Sequence, residues 1–549
     1  RGLGDVYKRQ TTKLAGNATF FLPFNMGNGE GVNAGAGNPT FKDKYSVSYM
    51  WEDILTKDTV LDLISKFIFI ETKESKDELT GKTKKSENVI FPRYHQLDVI
   101  RKLLADVREN GSTQNYLIQH SAGSGKTNSI AWLAHRLTSL HDADNKIIFD
   151  NVVIITDRVV VDRQLQKAIM GMEHKAGLIR VMDDKCNSAD LAIALNGNTK
   201  IIATTIQKFP YIVDSVAGLK NKRFAVIIDE AHSSTAGKDM AAVTKSLGAG
   251  EQEAADVEDM ITDEIRRNGK QANVSMFAFT ATPKPTTIQL FGRLNTKGQR
   301  EAFHIYSMKQ AIEEGFILDV LKYYTPIDSY YRLKKTVEDD PMFDKKKAQK
   351  KLRAFVESQS FTIAEKADMM VSHFHDQVIA KGKIGGQARA MIITSSIERC
   401  IDYYHAVNRC LANRRSPYKA IIAFSGEKQL DEHQPPVTSA GLNGFSDAAI
   451  PKTFKKDPHR FLIVADMFQT GYDEPLLHTM YVDKMLYDIK AVQTLSRLNR
   501  ACPKKYDTFV LDFFNNPDDI IQSFSRYYKT TLLSGAVSYT HLTLPTIRL

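Results

Sequence analysis

Residues 115–130 read NYLIQHSAGSGKTNSI, and this stretch decides the fold. An apolar run from Tyr116 to Gln119 leads into a glycine-rich loop, and a helical pattern follows it. Glycines let the backbone turn tightly, so successive N–H groups can point at phosphate oxygens, and the helix adds its positive N-terminal end. A strand, a phosphate-binding loop and a helix in this order predict an α/β domain that binds a nucleoside triphosphate.

The residues of this loop have separate predicted roles. Lys126 is expected to reach the β- and γ-phosphates, and the Thr127 hydroxyl is expected to ligate Mg²⁺. His120 stands where the usual pattern has its first glycine. The alternative, a glycine-rich turn that arises by chance, is disfavoured because strand, loop and helix follow in the required order. The residues expected to contact the nucleotide here are Ala122, Gly123, Ser124, Gly125, Lys126, Thr127 and Asn128.

Short apolar runs alternate with helical patterns on both sides of this loop. In residues 88–300 the runs are NYLIQ, NVVIIT, KIIATT, FAVIID and MFAFTAT; in residues 301–530 they are RAMIITSS, KAIIAFS, RFLIVAD, TMYVD and TFVLDF. Strands that are apolar on both faces and separated by helices are typical of parallel sheets covered by helices. The sequence therefore predicts the α/β class, with two tandem parallel-sheet lobes, of which the first binds ATP.

An acidic pair ends one of these apolar runs. Asp229 and Glu230 open the tetrapeptide DEAH directly after Phe224–Ile228, about a hundred residues beyond Lys126. A strand end delivers carboxylates to the ligand edge of a parallel sheet. Asp229 is expected to hold Mg²⁺ through water, and Glu230 to orient and deprotonate the attacking water. The tetrapeptide alone is weak evidence; its position at a strand end after the loop gives it weight.

A glutamine precedes the loop. Gln96 ends the segment FPRYHQ, about 30 residues before Lys126. A side-chain amide both donates and accepts hydrogen bonds, so Gln96 is predicted to read the adenine edge. The alternative is an ordinary surface amide.

Two arginines stand out in the second lobe. The sequence QTLSRLNR (493–500) is predicted to open a helix, in which Arg497 and Arg500 share one face because they are three residues apart. Two guanidiniums can stabilise the charge on a transferring phosphoryl group, as arginine fingers do in other NTPases. The alternative is a structural ion-pair face.

Further segments are expected to couple hydrolysis to movement. FTATP (279–283) closes a strand of the first lobe, where small hydroxyl residues can hydrogen-bond to the DEAH strand end. ADMFQTGYDEP (465–475) is expected to play the matching part in the second lobe, close to nucleotide and nucleic acid. ATP binding is expected to draw the lobes together and hydrolysis to release them. The residues assigned to these roles are Thr280, Thr282, Gly471, Asp473 and Gln493.

Composition narrows the class of protein further. The 549 residues carry a net charge of +10, which favours a polyanionic partner without proving one. The four cysteines form no Cys-x-x-Cys pair, so a zinc site is disfavoured, and their scarcity fits a reducing, cytoplasmic setting. The basic run KKKAQKK (345–351) is read as a solvated helix face, with a phosphate-contacting patch as the alternative.

The N-terminal section differs in character from the lobes. Residues 11–87 contain the glycine-rich GNGEGVNAGAGNP, an expected amphipathic helix from Trp51 to Phe69, and a lysine-rich stretch (72–87) read as a solvated linker. Residues 1–10 and 537–549 resemble translated sequencing adaptor and are taken as non-native tails.

The motifs in this order resemble those of superfamily 2 helicases and translocases. A narrower set resembles the restriction (R) subunit of type I restriction–modification enzymes: RYHQ, SAGSGKT, TDRVVVDRQL, TTIQKF, IIDEAHSS, FTATPKPTTIQLFG, QTGYDEP, QTLSRLNR and VLDFFNNPDDI. The upstream FNMGNGEGVNAGAGNP and SYMWEDILTKDTVLDLISKF share this resemblance, which covers roughly residues 18–525.

The resemblance implies two RecA-like motor lobes that follow a nuclease domain and precede a helical region. It implies ATP and Mg²⁺ as cofactors, and double-stranded DNA, a methyltransferase (M) subunit and a specificity (S) subunit as partners. Such a subunit pulls duplex DNA past itself before cutting, and phosphate contacts suit movement over any sequence. The residues expected by resemblance to line the DNA path are Arg158, Thr204, Thr205, Gln207 and Lys208.

One departure from that family concerns the nuclease. The family's cutting centre uses an acidic residue followed by Glu-x-Lys, and residues 11–50 contain no such set on a plausible strand pair. We therefore expect residues 11–87 to be a remnant of the nuclease domain plus a linker, without the cutting centre.

Two other functions stay open at this stage. A strand-separating superfamily 2 helicase acting on DNA or RNA would carry the same motifs. An ATP-switched binding scaffold without turnover is disfavoured by the presence of Glu230, Arg497 and Arg500.

Overall fold

The computed structural model describes most of both lobes. The residues described are 7–16, 19–76, 83–156, 165–166, 168–172, 178–182, 186, 188–205, 208, 212, 215, 219–229, 273–295, 298–327, 362–429, 435–468, 472–525 and 527. Among the residues assigned roles above, those outside the described set are Arg158, Gln207, Glu230 and Gly471, together with residues 345–351 and 537–549.

The chain divides into two compact units. The first comprises residues 1–316 with 527–549, and the second comprises residues 317–526. The division lies beyond residue 300, where the first lobe was expected to end. The reason is that His304–Tyr306 forms a parallel strand hydrogen-bonded to the strand before the phosphate-binding loop, so it belongs to the first sheet.

The first unit is built on a parallel sheet of seven strands within the described residues. Its order is β13-β5-β10-β9-β6-β8-β7, and every neighbouring pair is parallel. The five predicted apolar runs all form strands of this sheet. Because helices cover both faces, the strands are buried almost throughout. Their bounds are β5 Tyr116–His120, β6 Asn151–Thr156, β7 Ile179–Val181, β8 Ile201–Thr205, β9 Phe224–Asp229, β10 Val274–Thr280 and β13 His304–Tyr306.

The second unit repeats this architecture. Its six-stranded sheet has the order β14-β21-β20-β15-β19-β16 over the part of the chain that is described, again parallel throughout. The five apolar runs of residues 301–530 are strands, and a short additional strand lies at one edge. The predicted α/β class with two tandem parallel sheets is therefore confirmed. The bounds are β14 Tyr324–Pro326, β15 Arg389–Thr394, β16 Lys419–Ala423, β19 His459–Val464, β20 Leu477–Asp483 and β21 Phe509–Asp512.

Helices connect and cover the strands. The described α-helices of the first unit are α1 Lys57–Asp62, α2 Tyr94–Asn110, α3 Lys126–Leu137, α4 Ser188–Asn196, α5 Pro285–Phe291 and α6 Met308–Glu313. Those of the second are α7 Ile363–His373, α8 Ile397–Asn413, α9 Ser439–Asn443, α10 Ile450–Thr453, α11 Asp488–Leu495 and α12 Pro517–Ser525. None of the described helices is long and apolar enough to cross a membrane.

Short antiparallel pairs complete the described strands. They are β1 Arg9–Gln10 with β2 Leu22–Pro23, β3 Phe69–Lys76 with β4 Thr83–Ile90, β11 Arg293–Leu294 with β12 Arg300–Glu301, and β17 Glu427–Lys428 with β18 Val437–Thr438.

The expected single helix from Trp51 to Phe69 is wrong. Two π-helical turns, Met50–Ile54 and Leu63–Phe67, flank the short α1, because Thr56 takes an extended conformation that restarts the helix. Tertiary contacts hold the pieces in place: Arg101 pairs with Asp53 at 2.8 Å, and the Trp132 indole donates to the Phe67 carbonyl at 2.9 Å.

The expected solvated linker at 72–87 is also corrected. Its described residues lie in β3 and β4, which pair antiparallel with Phe69 opposite Ile90. Backbone pairing does not depend on side-chain polarity, so charged residues can occupy a ladder whose apolar end packs on the core. Phe69 provides that end, with its ring 6.1 Å from the Trp132 ring in an edge contact.

Candidate nucleotide-binding site

The glycine-rich loop joins β5 to α3. Strand β5 ends at His120 and the helix begins at Lys126, as predicted. Gly123 and Gly125 have φ of +86° and +82°, a left-handed conformation that side chains rarely adopt. The loop is closed on itself by the Ser124 N–H, which donates to the Ser121 carbonyl at 3.1 Å.

The chemistry of this loop fits an anion. The first N–H groups of α3 have no partner within the helix, and the helix dipole favours negative charge at this end. Lys126 is the first residue of the helix and is 8% exposed. The buried hydroxyls of Ser121 and Ser124 have no hydrogen-bond partner among the described residues. Donors and positive charge thus converge where a triphosphate would lie.

Asp229 lies at the same edge of the sheet. It is the last residue of β9, and β10 separates β9 from the loop strand β5. Because all three strands are parallel, their carboxyl ends meet at one edge. The described residues contain no group of three or more His, Cys, Asp or Glu side chains that could hold a metal alone. Mg²⁺ takes few protein ligands and otherwise phosphate oxygens and water. Thr127 and Asp229 would hold it.

The threonines expected to sense the phosphate are buried beside Asp229. Thr280 ends β10, and its neighbour Phe279 is in register with Asp229. Thr282 follows in the next turn, where its N–H donates to the Thr280 hydroxyl at 3.2 Å. Both side chains are 1% exposed, so any signal they pass would travel through packed contacts.

Gln96 touches the loop directly. Its Oε1 accepts from the Arg93 N–H at 3.0 Å, which caps α2, and its Nε2 donates to the Gly125 carbonyl at 2.9 Å. The side chain is 3% exposed, which rules out the ordinary surface amide considered above. Reading of adenine by Gln96 remains a prediction.

Histidines that the motif analysis did not single out also hold the loop. His95 Nε2 lies 3.0 Å from the Ser124 carbonyl oxygen, and its ring stacks on Tyr306 at 3.7 Å. His120 Nε2 lies 2.8 Å from His304 Nδ1. Burial lowers the pKa of His95 and His120 well below the ordinary value, so both imidazoles are neutral. The sequence signal was present in RYHQ and in the histidine that replaces the first glycine.

A half-buried carboxylate continues this histidine pair. His304 Nε2 lies 2.9 Å from Asp98 Oδ2. Burial raises the pKa of Asp98, but the hydrogen bond from His304 and the charge of Lys102 outweigh it, so the net pKa lies below the ordinary value. A hydrogen-bonded chain therefore runs from α2 through β13 to the end of β5.

The two arginines of the second unit lie in a turn rather than on a helix. The prediction that QTLSRLNR opens a helix is wrong: α11 ends at Leu495, and i→i+3 turns continue the chain through Asn499. Arg500 then forms a β-bridge with Ile317, which draws the backbone out of the helical path.

Both arginines have partners within their own unit. Arg497 is 5% exposed, and its guanidinium donates to the Gln493 and Tyr472 carbonyls, each at 3.1 Å. Arg500 Nε donates to Asp473 Oδ1 at 2.8 Å. The arginines are thus joined to the 472–475 loop, where Asp473 had been expected to approach the nucleotide.

Thr204, Thr205 and Lys208 are the residues proposed to line a DNA path that the structure describes, and the two threonines are less exposed than that role requires. Thr204 and Thr205 end β8 and are 0% and 6% exposed, and Lys208 is half-buried. Thr204 points into the packed layer, so its side chain does not suit a phosphate contact in this conformation.

Comparisons with known proteins agree with this geometry. Residues 95–354 match the SWI2/SNF2 ATPase family, and residues 442–515 match domain 3 of the type I restriction enzyme R subunit. The chain is 25% identical over 481 residues to the HindI endonuclease subunit of Haemophilus influenzae, covering 82% of this chain and 41% of that protein.

A second curated relative and one solved structure are also similar to this chain. The SauMRSORF196P endonuclease subunit of Staphylococcus aureus is 24% identical, covering 79% of this chain and 45% of that one. A fragment structure ascribed to a type I HsdR subunit of Vibrio vulnificus covers 94% of this chain and 89% of its own, with 13% identity and a TM-score of 0.47. The chain spans less than half the length of the two curated relatives. The chain is thus similar over most of its length to type I restriction enzyme endonuclease subunits, and its α/β lobes contain segments that match the SWI2/SNF2 ATPase family and domain 3 of the R subunit.

Proposed function

We propose that this chain hydrolyses ATP to move along double-stranded DNA, as the motor part of a type I restriction endonuclease subunit. The observation that carries the proposal is the shared sheet edge of the first unit, where the loop before Lys126 and the carboxylate of Asp229 lie at the ends of parallel strands. The family matches favour ATP as the nucleotide.

The residues at this edge supply binding and charge. Lys126 pairs with the β- and γ-phosphates, and the loop N–H groups bind the phosphate oxygens. Thr127 and Asp229 hold Mg²⁺, which neutralises phosphate charge when bound. Glu230, the residue after Asp229 in the sequence, takes the proton of the attacking water. Gln96 contributes to recognition of the adenine base.

The second unit is proposed to supply charge that stabilises the transition state of hydrolysis. Arg497 and Arg500 contribute positive charge to the transferring phosphoryl group, which requires them to exchange their present partners for phosphate oxygens. Five further residues are proposed to couple ATP binding and hydrolysis to movement of the chain. They are Gly471, Asp473 and Gln493, with Thr280 and Thr282 of the first unit.

Duplex DNA is proposed as the substrate because the relatives are restriction endonuclease subunits and because the net charge of +10 favours a polyanion. Contacts to phosphates allow movement over any sequence, and Arg158, Gln207 and Lys208 are candidates for them. Methyltransferase and specificity subunits are the proposed protein partners, in the cytoplasm.

Hydrolysis is tested by phosphate release from Mg-ATP with and without linear duplex DNA. Lys126→Ala should abolish the DNA-stimulated rate, because no other described side chain carries a charge at the start of α3. Lys146→Ala is the matched control, since Lys146 is 71% exposed and its distance to Asp144 is 3.7 Å. Undiminished turnover in Lys126→Ala would refute the assignment.

Movement is tested separately from hydrolysis. Displacement of a triplex-forming strand without separation of a partial duplex indicates translocation along duplex DNA. Clear separation of the partial duplex would instead indicate a strand-separating helicase. Nucleotide-dependent DNA binding with no phosphate release would indicate a switched scaffold.

A further inference from the structure

Lys505 is a buried lysine that none of the motifs includes. It lies five residues after Arg500 and is 5% exposed, whereas its neighbour Lys504 is exposed. Long charged side chains are rarely this buried unless their polar ends are bound. The partners of the Lys505 amine therefore decide why it is there.

The amine bridges two loops of the second unit. Its Nζ donates to the Leu498 carbonyl at 2.8 Å and to the Pro475 carbonyl at 3.1 Å. Leu498 lies between the two arginines in the turn that follows α11, where the backbone no longer makes i→i+4 helical hydrogen bonds. Pro475 ends the loop that provides Tyr472 and Asp473. The Cys502 thiol donates weakly to the same Pro475 carbonyl at 3.4 Å.

The bridge does not require a permanent charge. The pKa of Lys505 is lowered to about 7. Burial is the largest cause and the charge of Arg500 acts in the same direction, while Cys502, Glu474 and Asp473 act in the opposite direction. A neutral amine keeps two N–H donors, which is the number of carbonyls it binds. The link between the two loops is therefore available on both sides of neutral pH.

The two arginines also link these loops. Arg497 donates to the Tyr472 carbonyl, and Arg500 pairs with Asp473. Arginines that turn to a phosphate must give up these partners. Among the described residues the Lys505 amine donates to the Pro475 and Leu498 carbonyls, and neither hydrogen bond involves an arginine side chain, so we expect this link to remain when the arginines change partners.

We propose that Lys505 is a positioning residue, which ties the 472–475 loop to the 496–500 turn and so presents Arg497 and Arg500 to the transferring phosphoryl group. The proposal rests on the proposed ATPase function. It predicts that Lys505 matters for the transition state and little for binding of the diphosphate, because the arginines act on the γ-phosphoryl group.

The test compares the affinities for ADP and for ADP with aluminium fluoride, a mimic of the transferring phosphoryl group, in the 549-residue chain with Mg²⁺. Lys505→Met keeps the length of the side chain but removes its donors. We expect affinity for ADP–aluminium fluoride to fall about 10-fold or more and affinity for ADP to change less than about 2-fold. Lys504→Met is the matched control, and Lys505→Arg should restore most of the difference because it retains donors and charge.

The proposal is overturned if the folded Lys505→Met chain has the same ratio of the two affinities as the unsubstituted chain. This holds whether both affinities are unchanged or both fall equally. Thermal unfolding reports whether the variant is folded. If the methionine variant does not fold, Lys505→Gln replaces it, because glutamine keeps two N–H donors on a shorter side chain. The expected fall in affinity for ADP–aluminium fluoride is then about 3-fold. An unchanged ratio of the two affinities again overturns the proposal. If the unsubstituted chain binds neither ligand, the proposed function itself fails, which distinguishes the two ideas.

Discussion

The Nε2 atom of Gln96 donates to the carbonyl of Gly125 across 2.9 Å, so the residue before the phosphate site and the loop of that site are directly joined. The approach is close: a Cβ atom added to Gly125 would lie 2.6 Å from Gln96 Nε2. The left-handed φ of Gly125 therefore favours glycine at this position, and a Cβ atom there would push the Gln96 amide away from the carbonyl that it binds.

This contact leads to a prediction for Gly125→Ala. Strain at φ +82° and the clash with Gln96 should displace the loop and lower ATP affinity at least about 10-fold, with a stability loss of roughly 1–3 kcal/mol. Equilibrium titration with a fluorescent ATP analogue measures the affinity. Gly111→Ala is the control, because Gly111 has φ +69° but nothing within 4 Å of the added Cβ. Equal effects of both changes on affinity would contradict the role of the Gln96 contact.

A second prediction concerns base selection by Gln96. Its amide oxygen and nitrogen are each engaged once, which leaves one acceptor site and one N–H for the adenine edge. Gln96→Ala should therefore reduce the preference for ATP over GTP about 10-fold or more, in addition to weakening both. Competition between the two nucleotides measures this preference. A uniform loss for ATP and GTP would show that Gln96 only supports the loop.

A third prediction concerns the arginines of the second unit. Arg497→Ala and Arg500→Ala should each lower the maximal rate of ATP hydrolysis by about 10³-fold while ADP affinity changes little, because their charge is needed only in the transition state. Steady-state kinetics and ADP binding provide the two measurements. Arg414→Ala serves as the control, since Arg414 pairs with the exposed Asp368. Rates within about 3-fold of the unsubstituted chain in both variants would identify a structural ion-pair face.

The last prediction uses a buried histidine of the second unit. His373 stacks on Phe509 at 4.2 Å, and its Nδ1 lies 2.8 Å from the Tyr481 hydroxyl. Burial lowers the pKa of His373 from 6.5 to about 3 in the folded chain. The unfolded state therefore binds more protons between these values, and the free energy of unfolding falls as pH drops from about 6.5 towards 3.

The comparison with His373→Phe isolates this effect. Near pH 8 the variant should be the less stable chain by about 1 kcal/mol, because it loses the contact with Tyr481. At pH 5 protonation costs the unsubstituted chain roughly 2 kcal/mol, so the order of stability should reverse. Denaturant midpoints across this range measure the gap. A gap that stays constant with pH would show that His373 does not titrate as its burial requires.

Much of the fold follows from local sequence. All ten apolar runs form strands, because residues buried on both faces of a parallel sheet must be apolar along their whole length. The glycines of the loop, Lys126 at the start of α3 and Asp229 at a strand end were likewise predictable, since backbone geometry and charge at these places depend on neighbouring residues alone.

Tertiary packing decided the rest. The lysine-rich stretch at 72–87 contributes to paired strands, and QTLSRLNR closes α11 instead of opening a helix, because partners distant in sequence, such as Ile317 opposite Arg500, provide hydrogen bonds that outweigh local preference. The hydrogen-bonded histidine chain at the loop and the bridge made by Lys505 likewise depend on partners that only the folded chain brings together.

The sequence by itself thus determined the two sheets, their strands and the glycine-rich loop, because hydrophobic pattern and glycine placement act over a few residues. Only the tertiary structure decided which buried polar groups meet: Gln96 with Gly125, His120 with His304, and Lys505 with two carbonyls. The physical reason is that a polar group removed from water must find a partner, and the folded chain alone determines which one is within reach.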